Sequence, residues 1–301
     1  FAGKASIECQ YQREIKYIRE VLKNNPEMTV IAFLQPAIPI VALASEGLPN
    51  KVIISERGDP TRLMSKRYGK KFIEKYYKSV DKAVFQTRDA KAVYPENVGK
   101  KGVVISNPLK EGLPQPYFGE RNNFITTFCR ISKQKNLPVM IDAFSKIHAE
   151  FPQYKLRIIG DALNSEDKSE FKDIKNQIDR LKLNEAVVFE PFMSNVHKAI
   201  IKDAMYVNSS DYEGISNAML EAMAIGMPVV CTDCPIGGAK ATITDGENGL
   251  LVPIKDSNAL YEAIKRVIAE EGLADKLSQN AAKLREELSL EKITDKWEQL
   301  L

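Results

Sequence analysis

Glu213 and Glu221 stand with seven residues between them in the stretch DYEGISNAMLEAMAIGMPVVCTD. The apolar run Ala204 to Val207 reads as a short buried strand, and Asn217 to Ile225, rich in Ala, Met and Leu, reads as a helix. Glu213 is therefore expected in a strand-to-helix loop, and Glu221 about a turn inside the helix. Ser216 or Asn217 can cap that helix, and its first amides lack intrahelical partners, so the start of the element suits an anion such as phosphate. A carboxylate beside a phosphate repels it unless it bonds hydroxyls instead. Two carboxylates flanking such a site suit a ligand with a negative middle and polyol ends, which is the shape of a nucleotide sugar. The plainer alternative has Glu213 stabilising the helix N-terminus and Glu221 solvated. Against it stands the setting of Glu221 in AMLEAMAIGMPVV, where a carboxylate must find donors or meet a desolvation cost. Ligand hydroxyls are the donors expected there.

The elements that must position these groups alternate along the chain. Strands are predicted at Thr29–Leu34, Lys51–Ser55, Ala83–Phe85 and Gly102–Ile105, with helices at Gln12–Leu22, Ala37–Glu46, Lys70–Ser79 and Arg88–Tyr94 between them. Pro108, Pro114 and Pro116 then crowd a segment with Gly112 and Gly119, the best linker candidate in the chain. Beyond it, strands at Phe124–Phe128, Lys155–Ile159, Val187–Phe189, Ala204–Val207, Pro228–Cys231 and Gly249–Val252 alternate with helices at Leu137–Glu150, Glu166–Leu181, Asn195–Ile201 and Asn217–Ile225. Helices at Asn258–Glu270, Ala274–Glu286 and Leu290–Leu301 close the chain, the last carrying the sole Trp, Trp297. Alternation of this kind implies parallel sheets covered on both faces. The expected fold class is α/β, with two Rossmann-like domains and an interdomain cleft. Their bounds are 1–108 for the first domain, 109–123 for the linker, 124–285 for the second, and 286–301 for a C-terminal helix with the option of returning to the first.

The 301 residues are long for one core, and 44% hydrophobic with 28% charged is ordinary for a soluble protein. No apolar run reaches bilayer length. A net charge of +3 is too mild to imply nucleic-acid binding. Lys66, Arg67, Lys70, Lys71, Lys75 and Lys78 form a local basic cluster beside Tyr68, Phe72, Tyr76 and Tyr77, which leaves a peripheral contact with anionic membrane open, although a solvated helix face is the commoner meaning. Cys9, Cys129, Cys231 and Cys234 are few and scattered; no second pair joins the Cys231/Cys234 couple to make a zinc set, a redox pair there is the sharper alternative but Cys231 ends an apolar strand within a larger loop pattern, and free thiols suit a reducing cytoplasm.

Four ordered blocks resemble the donor-binding half of a family-four retaining glycosyltransferase of the GT-B fold, of the bacterial surface-polysaccharide type. They are FCRISKQKNLPVMIDAF (Phe128–Phe144), LRIIGD (Leu156–Asp161), EGISNAMLEAMAIGMPVVCTD (Glu213–Asp233) and GGAKATITDGENGLLVP (Gly237–Pro253). The match is strong over roughly residues 102–270. Over residues 1–100 it is weak, although ISERGDP resembles a loop of polysaccharide-building members. Such members open with a strand and a Gly-rich loop that does not precede Phe1, so the resemblance implies that the start of the first domain is missing.

The resemblance also implies roles. Arg130 and Lys135 would grip the donor diphosphate, and fixed cations there make physical sense because a departing nucleoside diphosphate develops negative charge. Gly214, Ile215, Ser216 and Asn217 would offer backbone amides, Glu221 would bind ribose hydroxyls, and Glu213 would contact the transferred sugar and bear most on turnover. Asp161 joins the donor-binding set, as does Met193, within the stretch Pro191–Ser194 expected to select the base through its backbone. Relatives carry a His near the donor sugar in the first domain. This chain has only His148 and His197, both expected at the surface, so Glu56, Arg57 and Asn107 are the candidates for a place in the cleft. Ala241 stands where relatives have a Glu, which puts the packing of that loop in doubt, and Cys231 and Cys234 are expected to be structural.

The implied activity is retaining transfer from a nucleoside diphosphate sugar, a UDP-sugar first, to a glycan or lipid-linked oligosaccharide hydroxyl. It would need no metal and no cofactor beyond that co-substrate, and would work in the cytoplasm or at the inner face of the membrane. The alternatives are a nucleotide-sugar-binding subunit without turnover and a UDP-GlcNAc epimerase-like enzyme of the same fold, which the scarcity of His disfavours.

Overall fold

The computed structural model describes residues 11–61, 71, 73, 74 and 77–301. The chain forms two compact units, one of residues up to Asn107 together with Ile293–Leu301, the other of Pro108–Lys292.

In the first unit β1 (Val30–Phe33), β2 (Val52–Ser55), β3 (Lys82–Phe85) and β4 (Gly102–Val104) pair in that order, all parallel. Every residue of β2 is buried, as a strand covered on both faces requires. The apolar helix Ala37–Ala44 buries nearly all its side chains, Ile38, Ile40 and Val41 among them. Residues 293–301 belong to this unit: the Trp297 ring lies 5.4 Å from that of Phe33, and Lys51 Nζ donates to the Leu301 carbonyl at 2.8 Å.

The second unit holds β5 (Phe124–Phe128), β6 (Lys155–Ile159), β7 (Val187–Glu190), β8 (Met205–Asn208), β9 (Val229–Thr232) and β10 (Leu250–Val252) in the order β10-β9-β8-β5-β6-β7, again parallel. Successive strands run outward from β5 on one side and from β8 on the other, so the winding reverses between those two. Ligands of doubly wound sheets bind beyond the carboxyl ends of the strands at such a reversal. Ile125, Leu156, Ile158, Val207 and Val230 meet Ile141, Phe144 and Ile147 of the helix Leu137–Glu150 and Leu260 and Ile264 of the helix Ser257–Ala269 in one core. At the other end of the sheet Arg157 in β6 reaches the wholly buried Asp203 at 2.8 Å, and Asp203 also accepts from Thr126 in β5. Strands β5 and β6 and the segment that leads into β8 are thereby pinned together. Two parallel sheets under helical cover are the two Rossmann-like domains of the α/β class that the alternation implied.

Several bounds differ from those read in the sequence. The stretch 109–123 is packed onto the second unit rather than left as a free tether. Arg121 donates to the carbonyls of Tyr117, Ile201, Asp203 and Gly226, and Arg285 to those of Leu113 and Pro114. The chain passes from one unit to the other at Asn107–Pro108 and back at Lys292–Ile293, not at 285. The helix expected over Ala274–Glu286 breaks at Lys283 into Leu273–Ala282 and Leu284–Glu287. Of the helix expected over 70–79, only a 3-10 turn at Tyr77–Ser79 falls wholly among the described residues, and Lys66, Arg67, Lys70 and Lys75 of the basic cluster lie outside them. Among the described residues no helix is long and apolar enough to cross a membrane.

Candidate active site

The loops that leave β5 and β8, the strands flanking the reversal, are stitched to each other. Asp211 N donates to Gln134 O at 2.9 Å, Ser209 Oγ to Lys135 O at 2.8 Å, and Asn136 Nδ2 to Asp211 Oδ1 at 2.7 Å. Asn136 takes a left-handed φ of 43°, which ends the 3-10 turn Lys133–Lys135 and starts the helix Leu137–Glu150. Asn tolerates that conformation better than most residues. These bonds deliver Lys135 and Glu213 to one point, where Lys135 Nζ donates directly to Glu213 Oε1. Ser210 Oγ donates to the same oxygen at 2.9 Å, and Gln134 Nε2 reaches Glu213 Oε2 at 3.3 Å and the Tyr212 carbonyl at 2.9 Å. Lys135 and Glu213 side chains are 18% and 13% exposed, so the pair is largely withdrawn from water.

Beside this pair the loops after β5 and β6 meet at van der Waals limits. Gly160 has φ +145°, and a Cβ there would lie 1.9 Å from the Cys129 carbonyl oxygen. Only glycine fits. Next to Cys129 and Gly160 stand Arg130 and Asp161, which with Met193, Phe128 and the exposed Phe192 line a pocket of about 360 Å³. Asp161 Oδ2 accepts from Phe192 N at 3.3 Å and the Asp161 carbonyl from Ile131 N at 3.0 Å, which ties the three loops around the pocket. Arg130 is half exposed and 3.8 Å from Asp167 Oδ2. Burial pushes the Cys129 thiol above its ordinary range, while Lys135 and Arg130 pull it down and Glu213 adds to the rise. All three charged groups therefore lie within electrostatic reach of one atom at the end of β5.

Gly214 to Ser216 lead into the helix Asn217–Ala224. The Ser216 hydroxyl accepts from Met219 N at 3.3 Å, so Ser216 is the cap. The Gly214 carbonyl lies against Gly238, where a Cβ would come within 1.7 Å. That close crossing, with Ala241 N donating to Gly237 O and Ile243 N to Ala239 O at 2.7 Å each, holds the 237–243 loop without the missing Glu. Ala241 itself is exposed.

Glu221, for which ligand hydroxyls were the expected donors, has a partner within the protein as well. His197, on the helix Val196–Ile200, is buried rather than at the surface, and its Nε2 lies 2.7 Å from Glu221 Oε2. Its ring meets Phe128 edge-on at 5.6 Å. His148 is half-buried, with Nδ1 3.2 Å from the Tyr154 carbonyl.

Glu56, Arg57 and Asn107 come together within the first unit, beyond the carboxyl ends of its strands. Glu56 is buried, accepting from its own loop at Arg57 N and Gly58 N and from the Tyr94 hydroxyl at 2.7 Å, so its carboxylate is turned inward. Arg57 donates to Ser55 Oγ, the Ile105 carbonyl and Asn107 Oδ1, with its guanidinium 5.7 Å from the Phe33 ring centre and 5.4 Å from that of Trp297. Burial lowers its pKa to about 10.

Cys231 and Cys234 are buried free thiols, and Cys234 Sγ donates to the Ser210 carbonyl at 3.0 Å, which buttresses the loop that carries Glu213. Sequence reasoning missed Ser210, Gln134 and His197. The first two adjoin Glu213 and Lys135 closely enough to have been suspected, whereas nothing in the sequence marks His197.

A family model described as "Glycosyl transferases group 1" matches residues 113–284. The chain is 31% identical over 168 residues to the poly(glycerol-phosphate) alpha-glucosyltransferase of Bacillus subtilis, covering 56% of this chain and 24% of that protein. It is 30% identical over 165 residues to the N-acetylgalactosamine-N,N'-diacetylbacillosaminyl-diphospho-undecaprenol 4-alpha-N-acetylgalactosaminyltransferase of Campylobacter jejuni, covering 55% and 42%. The chain thus matches less than half the length of either relative. Among solved structures, Anabaena Alr3699/HepE in complex with UDP superposes with a TM-score of 0.83 at 19% identity, over 94% of this chain and 80% of that one. At that identity the likeness speaks for the fold.

Proposed function

Because this chain belongs to the group 1 glycosyl transferases, we propose that it moves a sugar from a UDP-sugar to a hydroxyl of a glycan or lipid-linked acceptor, with retention at the anomeric carbon. The observation that carries this is the Lys135–Glu213 pair at the winding reversal, set beside the pocket lined by Arg130, Asp161 and Met193. A relative named for a diphospho-undecaprenol acceptor and another named for a glycerol-phosphate polymer support an acceptor of the surface-polysaccharide kind. A fold neighbour holding UDP supports uracil as the base.

In this reaction the bond from the anomeric carbon to the departing phosphate oxygen breaks and a bond from the acceptor oxygen forms on the same face. The acceptor proton passes to the departing phosphate oxygen. Arg130 and Lys135 stabilise the charge that collects on the diphosphate, and a half-exposed Arg is free to close on it. Lys135 has two successive partners, Glu213 before the donor arrives and the phosphate afterwards. Its release leaves Glu213, still held by Ser210, to accept from hydroxyls of the transferred sugar. The pocket takes the base, with Phe128 and Phe192 as apolar walls. Glu221 takes the ribose. Two side-chain cations carry the charge stabilisation without a metal, and turnover in excess chelator checks that part. Work on a lipid-linked acceptor places the protein at the inner membrane face, held peripherally.

The test supplies UDP-, GDP- and ADP-sugars with a panel of lipid-linked and free glycan acceptors, and reads product and anomeric configuration by NMR. Net transfer with retention from a UDP-sugar supports the assignment. Tight UDP-sugar binding by the full-length protein with neither transfer nor donor hydrolysis would overturn it in favour of a non-catalytic binding subunit.

A further inference from the structure

We propose that His197 is a positioning residue for donor recognition: it fixes one oxygen of Glu221 so that the other is left to accept from the ribose diol. This rests on the assignment of Glu221 to the ribose. A carboxylate only accepts, so the 2.7 Å contact requires a proton on His197 Nε2, whichever charge state the ring holds. The imidazole is itself held. It is buried on the helix Val196–Ile200 and meets Phe128 edge-on, and Phe128 is at once the last residue of β5 and a wall of the pocket.

Glu221 comes to this contact from a different element, the helix Asn217–Ala224, whose other inward residues Met219, Leu220 and Met223 are apolar and buried. Its side chain is 18% exposed, so it touches solvent while one oxygen is anchored. The histidine engages Oε2, so Oε1 is not taken up by this contact. A Glu side chain has three rotatable bonds, and freezing them before the ligand arrives removes an entropy cost that would otherwise be met on binding. A carboxylate so fixed discriminates sharply between a sugar that offers two hydroxyls and one that offers a single one, because a held acceptor cannot swing to a substitute partner. His197 thus belongs to selection of ribo- over 2'-deoxyribonucleotides, at a remove from the reacting atoms.

The experiment measures dissociation constants for UDP and 2'-deoxy-UDP by calorimetry in the full chain, for wild type, His197→Phe, His197→Gln and Glu221→Gln. Phe keeps the aromatic contact with Phe128 but offers no donor, while Gln offers an amide N–H in its place. The wild type is expected to prefer UDP by roughly tenfold or more, the loss typical of one hydrogen bond to a charged group. The preference should fall to about twofold in His197→Phe and be restored in part by His197→Gln. Thermal melts of each variant separate misfolding from mispositioning, and the ratio of the two constants is insensitive to the fraction of folded protein. If His197→Phe loses stability but keeps the wild-type ratio, the histidine only satisfies a buried carboxylate and the proposal is wrong. If wild type shows no preference, or does not bind UDP, the ribose assignment falls and takes this proposal with it. Loss of the preference in Glu221→Gln but not in His197→Phe overturns the histidine's role alone.

Discussion

Replacing Gly160 by Ala puts a Cβ 1.9 Å from the Cys129 carbonyl oxygen, where real contacts do not fall below 3.0 Å. The loops after β5 and β6 must therefore part by about 1 Å, and a displacement of that size near a reacting centre is enough to weaken binding or catalysis markedly. Arg130 follows Cys129 and Asp161 follows Gly160, so the movement acts directly on two residues that line the pocket. Clash and backbone strain together should lower stability by about 3 kcal/mol. In a unit of this size that is a fall in Tm of roughly 6–12 °C. Gly272→Ala is the control, since Gly272 also has a positive φ, 76° against 145° at Gly160, but nothing within 4 Å of the added methyl. It should lose about 1 kcal/mol from left-handed strain alone and leave nucleotide affinity intact. Calorimetric titration of UDP should show at least tenfold weaker binding for Gly160→Ala once melting is allowed for, about 1.4 kcal/mol. If Gly160→Ala melts with Gly272→Ala and binds UDP as wild type does, the close crossing does not set the pocket and the reasoning fails.

Three other outcomes follow from the same geometry. Glu213→Ala should chiefly lower the rate at saturating donor and Glu221→Ala chiefly raise the donor dissociation constant; steady-state kinetics with the converse pattern would exchange their roles. Burial pushes the Cys234 thiol up to about 12 and raises those of Cys129 and Cys231 as well, so at pH 8 all three stay protonated. Peptide mapping after iodoacetamide treatment of native protein should find them unlabelled, with labelling only on unfolding, and prompt native labelling of Cys234 would contradict its burial. Arg121→Ala leaves carbonyls of Tyr117, Ile201, Asp203 and Gly226 without their donor and should cost about 2–4 kcal/mol. Limited proteolysis should then cut within 113–123 before the rest of the second unit, and unchanged resistance there would show that the arginine does not hold the segment.

The strands were legible because parallel sheets covered on both faces leave near-continuous apolar runs, as in VIIS of β2 or VVCT of β9, with loops of contrasting composition between them. The loop positions of Glu213 and Lys135 were legible, Glu213 from its place between an apolar strand and a helix, and Lys135 from the block that resembles the family. Their direct bond was not, since the two are brought together only once β5 and β8 become neighbours. His197 left no trace because a lone imidazole on a five-residue helix has no periodicity to read, and its partner on another helix is fixed by tertiary packing. The proline-rich stretch misled for the opposite reason. Its composition is local and says "turns", whereas what immobilises it is Arg121 and Arg285, whose effect depends on carbonyls supplied by the folded unit and, for Arg285, on a distant part of the chain.

The first unit is completed by residues from the far end of the chain, with Trp297 against Phe33 and Leu301 bonded to Lys51. On the ribosome this imposes an order of events. The contiguous second unit can fold as it emerges, while the earlier-made strands β1 to β4 must wait for residues 293–301 before Trp297 can pack on Phe33. Closing so long a loop adds little entropy beyond a shorter one, because that term grows only with the logarithm of length. The delay is therefore one of time rather than of equilibrium. During it the nascent first unit is the part of the molecule that chaperones and proteases can reach, and a chain that lacked residues 293–301 would keep its second unit while leaving Phe33 without Trp297.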